Sequence, residues 1–396
     1  MVRHDYIEWH LCSIIIYIIM KARCTSMNRA IRYRLYPSAE QRVMLAKIFG
    51  CCRKIYNLML EDKIAYYKSC GLTLSTTPAQ YKNDYPYLKE VDSLALANVQ
   101  LNLQRAYRNF FDGLKKHKKV GFPQFKSAKK SRRSYTTNNQ RDSIRIENSH
   151  IRLPKIGMVK AVIHRQAPAD WVIKSVTISQ DSSDKYYASV LFEYDDSAVP
   201  VNKNSKSAIG LDYKSDGLYM DSNGQTAPEH HKCYRLSQKR LAKLQRKLKH
   251  MTIGSSNYYK RQKAIAKLYV HTANQRKDYL HKLSTKIANS YDIVCVEDID
   301  MQAIANRKHH LGKATYDNGY GMFVSMLQYK LEERGKYLVK IDRWYPSSQI
   351  CSCCGKTNKL TLSDRTYSCE CGNVMDRDAN AAINILDEGL RTLRQA

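Results

Sequence analysis

Five cysteines, Cys351, Cys353, Cys354, Cys369 and Cys371, fall within 21 residues, while the rest of the chain's twelve are scattered. Zinc takes four soft ligands in a tetrahedron, and two tight knuckles that each carry a cysteine pair supply them. Cys351-Ser-Cys-Cys354 gives one knuckle with a two-residue gap, and Cys369-Glu-Cys371, fourteen residues on, gives a tighter one. Cys353 is spare, and its side chain is expected to point away. Four protein ligands close the coordination shell, so this zinc is expected to staple the fold and take no part in chemistry. Crowding of this kind suits a metal site in a reducing compartment better than a secreted disulfide framework.

Chemistry must then come from acids. Asp212 ends the apolar run Ala208-Ile-Gly-Leu211, Glu297 ends Ile293-Val-Cys-Val296, and Asp378 lies where Asp376-Arg-Asp-Ala-Asn-Ala-Ala382 opens a helix. Carboxylates at two strand ends and one helix start can converge. Such a trio would hold two magnesium or manganese ions about 3.5–4 Å apart, the arrangement for in-line phosphodiester hydrolysis. Spacings of 85 and 81 residues carry no signal of their own, because each acid taken singly serves equally well in a turn or cap.

The net charge names the partner. Lys and Arg total 66 against 36 Asp and Glu, a surplus of +30 that exceeds what solubility needs and points to a polyanion. Nucleic acid comes first and an anionic membrane second, since no apolar run reaches the ~18–20 residues of a spanning helix. Hydrophobic residues at 43% exclude wholesale disorder, and 396 residues suggest two or three domains. Residues 101–135 hold eleven Lys or Arg against one acid, Asp112, and residues 231–290 hold sixteen against Asp278. In the second region Leu241, Leu244 and Leu248 form a helical stripe, leaving Lys239, Arg240, Lys243, Arg246 and Lys247 to follow phosphates. The alternative is a solvated helical face.

Other elements must position these groups. The longest apolar stretch, Leu11 to Met20, has Asp5 and Glu8 where a signal peptide would be positive, so residues 1–26 are read as an N-terminal extension with Met27 as the expected working start, or else as a buried segment. Residues 29–36 alternate as a strand, and Ser38 with Gln41 is a capping box for a helix carrying Val43, Met44 and Ile48. The helical style continues to about residue 116, through Leu94, Leu96, Val99, Leu101 and Leu103. Residues 135–195 read as short strands of a small sheet or barrel. The polar run Thr136-Thr137-Asn138-Asn139 at its start suits either a reader of bases or a turn.

Taken together the residues resemble the TnpB (OrfB) family of insertion-sequence proteins, compact RNA-guided nucleases related to type V CRISPR effectors. The likeness runs from about residue 27 to the C-terminus. It rests on Ala30-Ile-Arg-Tyr-Arg-Leu-Tyr-Pro37, Gly50-Cys-Cys-Arg53, Tyr56-Asn57, Gly121-Phe-Pro-Gln-Phe-Lys126, Gly210-Leu-Asp212 and Val296-Glu-Asp298. Ser347-Ser-Gln-Ile-Cys351-x-x-Cys354-Gly355, Cys371-Gly372 and Asp376-Arg-Asp-Ala-Asn-Ala-Ala-Ile-Asn-Ile385 are the most specific elements.

The resemblance implies a multidomain α+β fold. An RNase H-like (RuvC) nuclease domain would span 206–346 plus 374–396, interrupted over 347–373 by a zinc-binding target-nucleic-acid module. A β-barrel wedge domain over 27–37 plus 119–205 would precede it, with a helical recognition insertion over 38–118. Asp212, Glu297 and Asp378 become the three RuvC acids, and Asp376 is assigned to capping the helix. The implied function is RNA-guided cleavage of double-stranded DNA beside a short flanking motif that Thr137 and Asn138 are candidates to read. The guide comes from the element's own end, and the setting is the prokaryotic cytoplasm and nucleoid. A nuclease-dead RNA-guided repressor on the same scaffold is the alternative. The acid order Asp, Glu, Asp departs from a DDE transposase, whose glutamate comes last.

Overall fold

The computed structural model describes residues 26–117, 120–195, 207–229, 232–305, 312–361 and 364–395. The extension read over 1–26 lies outside these except for Ser26, as does the apolar stretch 11–20. Among the described residues no helix is long and apolar enough to cross a membrane. Two compact units divide at Asp195.

The first unit runs β1 (Ser26–Tyr36), α1 (Ala39–Cys70), α2 (Ser93–Lys115), β2 (Arg133–Asn138), β3 (Arg145–Glu147), β4 (His150–Leu153), β5 (Gly157–Val162), β6 (Val172–Gln180) and β7 (Tyr186–Asp195). Both halves of the capping box form: the Gln41 amide N donates to Ser38 Oγ at 3.2 Å and the Ser38 N to Gln41 Oε1 at 3.0 Å. Gly71, at φ 70°, closes α1 with its N–H on Tyr67 O. Ile48, Ile55 and Met59 of α1 and Leu96, Val99 and Leu103 of α2 are buried in one core with the sheet. Val43 and Leu101, read as apolar-face positions, instead face solvent at 60% and 51% exposure.

All seven strands join one antiparallel sheet in the order β2-β6-β7-β1-β5-β4-β3. The segment read as a small sheet or barrel thus forms one seven-stranded sheet, with β2 and β3 at the ends of its hydrogen-bonded order among the described residues. A turn bridges the gap: Asn139 N donates to Lys174 O at 2.8 Å, and its Oδ1 accepts from Ile144 N at 2.9 Å. Two motif segments meet here, because Asn57 and Lys126 exchange a reciprocal pair of bonds at 2.9 and 2.8 Å.

The second unit contains β8 (Ala208–Lys214), β9 (Leu218–Asp221), α3 (Cys233–Lys249), α4 (Ser256–Ser290), β10 (Ile293–Glu297), α5 (Met301–Ile304), α6 (Gly312–Asn318), α7 (Tyr320–Glu332), β11 (Tyr337–Ile341), β12 (Thr366–Ser368), β13 (Val374–Asp376) and α8 (Arg377–Gln395). Its main sheet is ordered β11-β10-β8-β9; β8, β10 and β11 are parallel, and β9 returns antiparallel. Strand alternation separates two cores. Ile209, Leu211, Val294 and Val296 share one with Leu280 and Leu283 of α4 and Phe323 and Leu327 of α7, whereas Ile293, Cys295, Val339 and Ile341 share the other with Ile385 and Leu393 of α8.

Helix α8 lies unusually close to the sheet. A Cβ on Gly210 would stand 2.1 Å from Ala382 O and 2.8 Å from Leu386 N, both backbone atoms of α8. Gly210→Ala should therefore lower stability by about 1–3 kcal/mol, because neither backbone can yield without displacing the helix. Thermal unfolding checks this, with Gly50→Ala, whose Cβ meets nothing within 4 Å, as the variant expected to be neutral or mildly stabilising.

Candidate active site and metal centre

Register puts two acids side by side. Leu211 and Val296 form the last rung between β8 and β10, so Asp212 and Glu297 are the next neighbours. Both lie two positions beyond residues that face α8, Gly210 and Cys295, and so share that face. The third acid comes from α8 itself. Asp376 Oδ1 accepts from the amides of Asp378 and Ala379 at 2.8 and 3.2 Å, which caps the helix and sets Asp378 in its first turn.

The electrostatics show that the three interact. Asp212 is raised well above the usual carboxylate range, by burial first and then by the negative charges of Glu297 and Asp378. Burial also raises Glu297, against a hydrogen bond that Ser347 Oγ donates to its Oε1. Lys214 Nζ lies 3.2 Å from Asp378 Oδ2. Tyr320 is fully buried close to Asp212 and Glu297, and its hydroxyl has no partner among the described residues. A cleft of about 350 Å³ lined by Asp212, Glu297, Asp298 and Arg343 opens over the acids. A second, of about 820 Å³, is lined by Lys214, Arg365, Arg377 and Asp378, and the two share Tyr213, Ala303 and Ile304.

Sequence reasoning missed Lys214, Ser347 and Tyr320. Lys214 had a signal, since i+2 on a strand repeats the face of Asp212. Ser347 stood in the motif that opens the cysteine knuckle without a role at the acids, and Tyr320 had no signal, because the proximity of both to the acids is made by tertiary packing.

Hard oxygen donors crowded at like charge suit small divalent cations, and a cation there would relieve the repulsion that raises Asp212. The four cysteines of the second centre, Cys351, Cys354, Cys369 and Cys371, bring their sulfurs within 4.8 Å of one another. Cys351–Cys371 and Cys354–Cys369 are 3.6 Å apart. Bonds of about 2.3 Å to a tetrahedral zinc require sulfurs roughly 3.8 Å apart, so this cluster could bind zinc. Each knuckle is closed by a glycine in the left-handed region, Gly355 at φ 77° and Gly372 at φ 88°. Their N–H groups donate to Cys351 O and Cys369 O, both at 2.9 Å. Burial opposes ionising Cys351, yet the backbone N–H groups of Cys354 and Cys353 and the Asn373 amide lower its thiol to about 6. Cys353 is exposed and stands outside the cluster.

The residues read as nucleic-acid contacts divide in outcome. Lys239, Arg240, Lys243, Arg246 and Lys247 are all exposed on α3, while Leu241 is buried and Leu244 and Leu248 are half-buried. Thr137 is corrected. It lies inside β2 with no exposed surface, and its hydroxyl donates to Asp92, the cap of α2, so it cannot reach a base. The run is neither a reader nor a turn at that residue, because Tyr135 and Thr137 alternate inward as strand positions. Asn138 is half-buried, its Oδ1 3.4 Å from Asn98 Nδ2.

Known proteins are similar to this chain along most of its length. Residues 320–385 match the family "Cas12f1-like, TNB domain". Residues 189–308 match "Probable transposase" and 27–71 a "Helix-turn-helix domain", although the latter residues here form β1 and the single long helix α1. The chain is 34% identical over 380 residues to a "Putative RNA-guided DNA endonuclease" of Streptomyces pristinaespiralis, covering 92% of this chain and 90% of that one. It is 30% identical over 384 residues to "Putative RNA-guided DNA endonuclease InsQ" of Escherichia coli K12, covering 91% and 92%. In fold it is similar to the protein of a Cas12f1-sgRNA-target DNA complex, at TM-score 0.58 and 15% identity, over 91% of this chain and 99% of that one. With relatives of this identity matched along nine tenths of their length, the chain belongs to the TnpB (OrfB) family of insertion-sequence proteins, relatives of the type V effectors.

Proposed function

We propose that the protein is an RNA-guided DNA endonuclease of an insertion sequence, with Asp212, Glu297 and Asp378 as the acids of a RuvC-type site in an RNase H-like domain. What supports the chemistry is that Asp212 and Glu297 follow the last rung of two parallel strands and Asp378 lies in the first turn of α8, with the charges of Glu297 and Asp378 adding to the burial that raises Asp212. The relatives' names support the guide and the DNA target, and the surplus of +30 supports the polyanionic partners. Recognition of a short flanking motif, the wedge, recognition and zinc-module boundaries, and work in the prokaryotic nucleoid belong to the same reading.

Two magnesium or manganese ions bound there would supply activation of the attacking water and charge stabilisation at the leaving oxygen. The chain's part is to hold the donors. Asp212 and Glu297 are fixed by the sheet register, Asp378 by its cap, and Glu297 is oriented by the Ser347 hydroxyl. Lys214 balances charge at Asp378 and leaves Asp212 and Glu297 for cations. Zinc on the four cysteines would be structural, with all four positions taken by protein.

Replacing Asp212, Glu297 or Asp378 with Ala should cut guided cleavage at least roughly 100-fold while duplex binding, carried by cations, changes little. Asp376→Ala should retain the chemistry but weaken the helix cap by about 1 kcal/mol. An inactive Asp376→Ala beside a fully active Asp378→Ala would reverse that assignment. Because protons compete with cations at a raised Asp212, the magnesium concentration for half-maximal cleavage should rise as pH falls.

Elemental analysis of wild-type protein should find one zinc per chain. Cys354→Ser should lose it and become sensitive to protease across 347–373, whereas Cys353→Ser should keep metal and stability.

Reversing charge at Lys239, Arg240, Lys243, Arg246 and Lys247 should weaken the complex with RNA from the element's end. The slope of log affinity against log salt should flatten by about one for each phosphate no longer neutralised. The buried Leu241 is untouched, so circular dichroism should be unchanged.

A further inference from the structure

The motif residues Ser347, Asn380 and Asn384 touch none of the reacting atoms, yet they are almost wholly buried, at 5%, 0% and 4% exposure. Their hydrogen bonds form one connected path. Asn384 Nδ2 donates to Ser347 O and to Ile350 O, both at 2.7 Å. Asn380 Nδ2 donates to Ile350 O at 2.7 Å, and its Oδ1 accepts from Ser352 N at 3.0 Å. Cys351, the first cysteine of the knuckle, is thus held on both flanks by α8, the helix that carries Asp378 two residues before Asn380. At the other end of the same short segment, Ser347 Oγ donates to Glu297.

We infer that Ser347, Asn380 and Asn384 are positioning residues that make the geometry of the acid site depend on zinc in the neighbouring knuckle. This linkage rests on the proposed acid site and goes beyond it. When the knuckle is loaded, residues 347–352 are pinned between it and α8, and this fixes the donor on Glu297 and seats the first turn of α8. When the knuckle is empty, the segment is released and the carboxylates lose their mutual placement. Two metals that share no ligand are thereby linked in affinity, since groups that orient ligands commonly change metal affinity or activity by about 10–100-fold.

The probe is manganese alone, titrated into the full chain and followed by electron paramagnetic resonance, with zinc content measured in parallel. Ser347→Ala should weaken manganese binding about 10-fold, while zinc content and the unfolding midpoint stay near wild type. Ser347→Thr, which keeps the donor, should recover most of the loss. Cys354→Ser removes no carboxylate, yet it should weaken manganese binding at least as much. Asn384→Leu should act in the same direction. Wild-type manganese affinity in Ser347→Ala together with zinc-free Cys354→Ser would overturn the linkage and leave the endonuclease reading intact. Undiminished manganese binding by Asp212→Ala would instead remove the acid site itself and the linkage with it.

Discussion

Asp212 is raised first by burial and then by the charges of Glu297 and Asp378, and several features of the second unit bear on how these carboxylates are placed. The parallel register of β8 and β10 leaves Asp212 and Glu297 no room to diverge. Asp378 is tolerable because it sits at a helix start, where unpaired N–H groups favour negative charge. Lys214 and the Ser347 hydroxyl answer one carboxylate oxygen each. None of this works unless α8 comes down close to the sheet, and a glycine at 210 is what lets it. On the proposed reading, a cation bound beside Asp212 would offset the neighbouring negative charges.

Much of this was legible in the residue order. The capping box at Ser38, the apolar strands ending at Asp212 and Glu297, the helix cap at Asp376 and the paired cysteine knuckles are all local patterns, with one dominant physical cause each. What stayed hidden was set by contacts between distant segments. Thr137 read as polar and therefore outward, but Asp92, forty-five residues earlier, gives its hydroxyl a buried partner. Val43 and Leu101 satisfied helical spacing and still face solvent, because helix packing selects which part of an apolar stripe is covered. The order of the seven strands could not be read from their number, since β1 pairs with β5 and β7, both more than a hundred residues away.

The cation-rich hairpin follows a different logic. Helices α3 and α4 meet through few buried side chains, among them Leu241, Ile265 and Thr272. Ser237 and Thr272 join across the pair at 3.0 Å, and Gln245 and Tyr269 at 3.2 Å. Residues 231–290 carry sixteen basic side chains against one acid. Self-repulsion along such a hairpin opposes its folding, and any polyanion that binds it adds its binding free energy to the stability of the hairpin.

The position of β1 in its sheet sets a timetable for synthesis. It is the first of the seven strands made, yet it lies fourth in the order, and its longest pairing is with β7, from Leu35 opposite Tyr186 to Ser26 opposite Asp195. At ~5–20 residues per second the ribosome needs roughly 8–30 s to deliver that partner. Until then the sheet that α1 and α2 cover is incomplete, because β7 is the strand that joins β1 to β6, and part of their apolar faces is open to chaperones or to other nascent chains. Such distant pairing is slow to form, so the period of greatest vulnerability for this protein falls before its second unit has been translated.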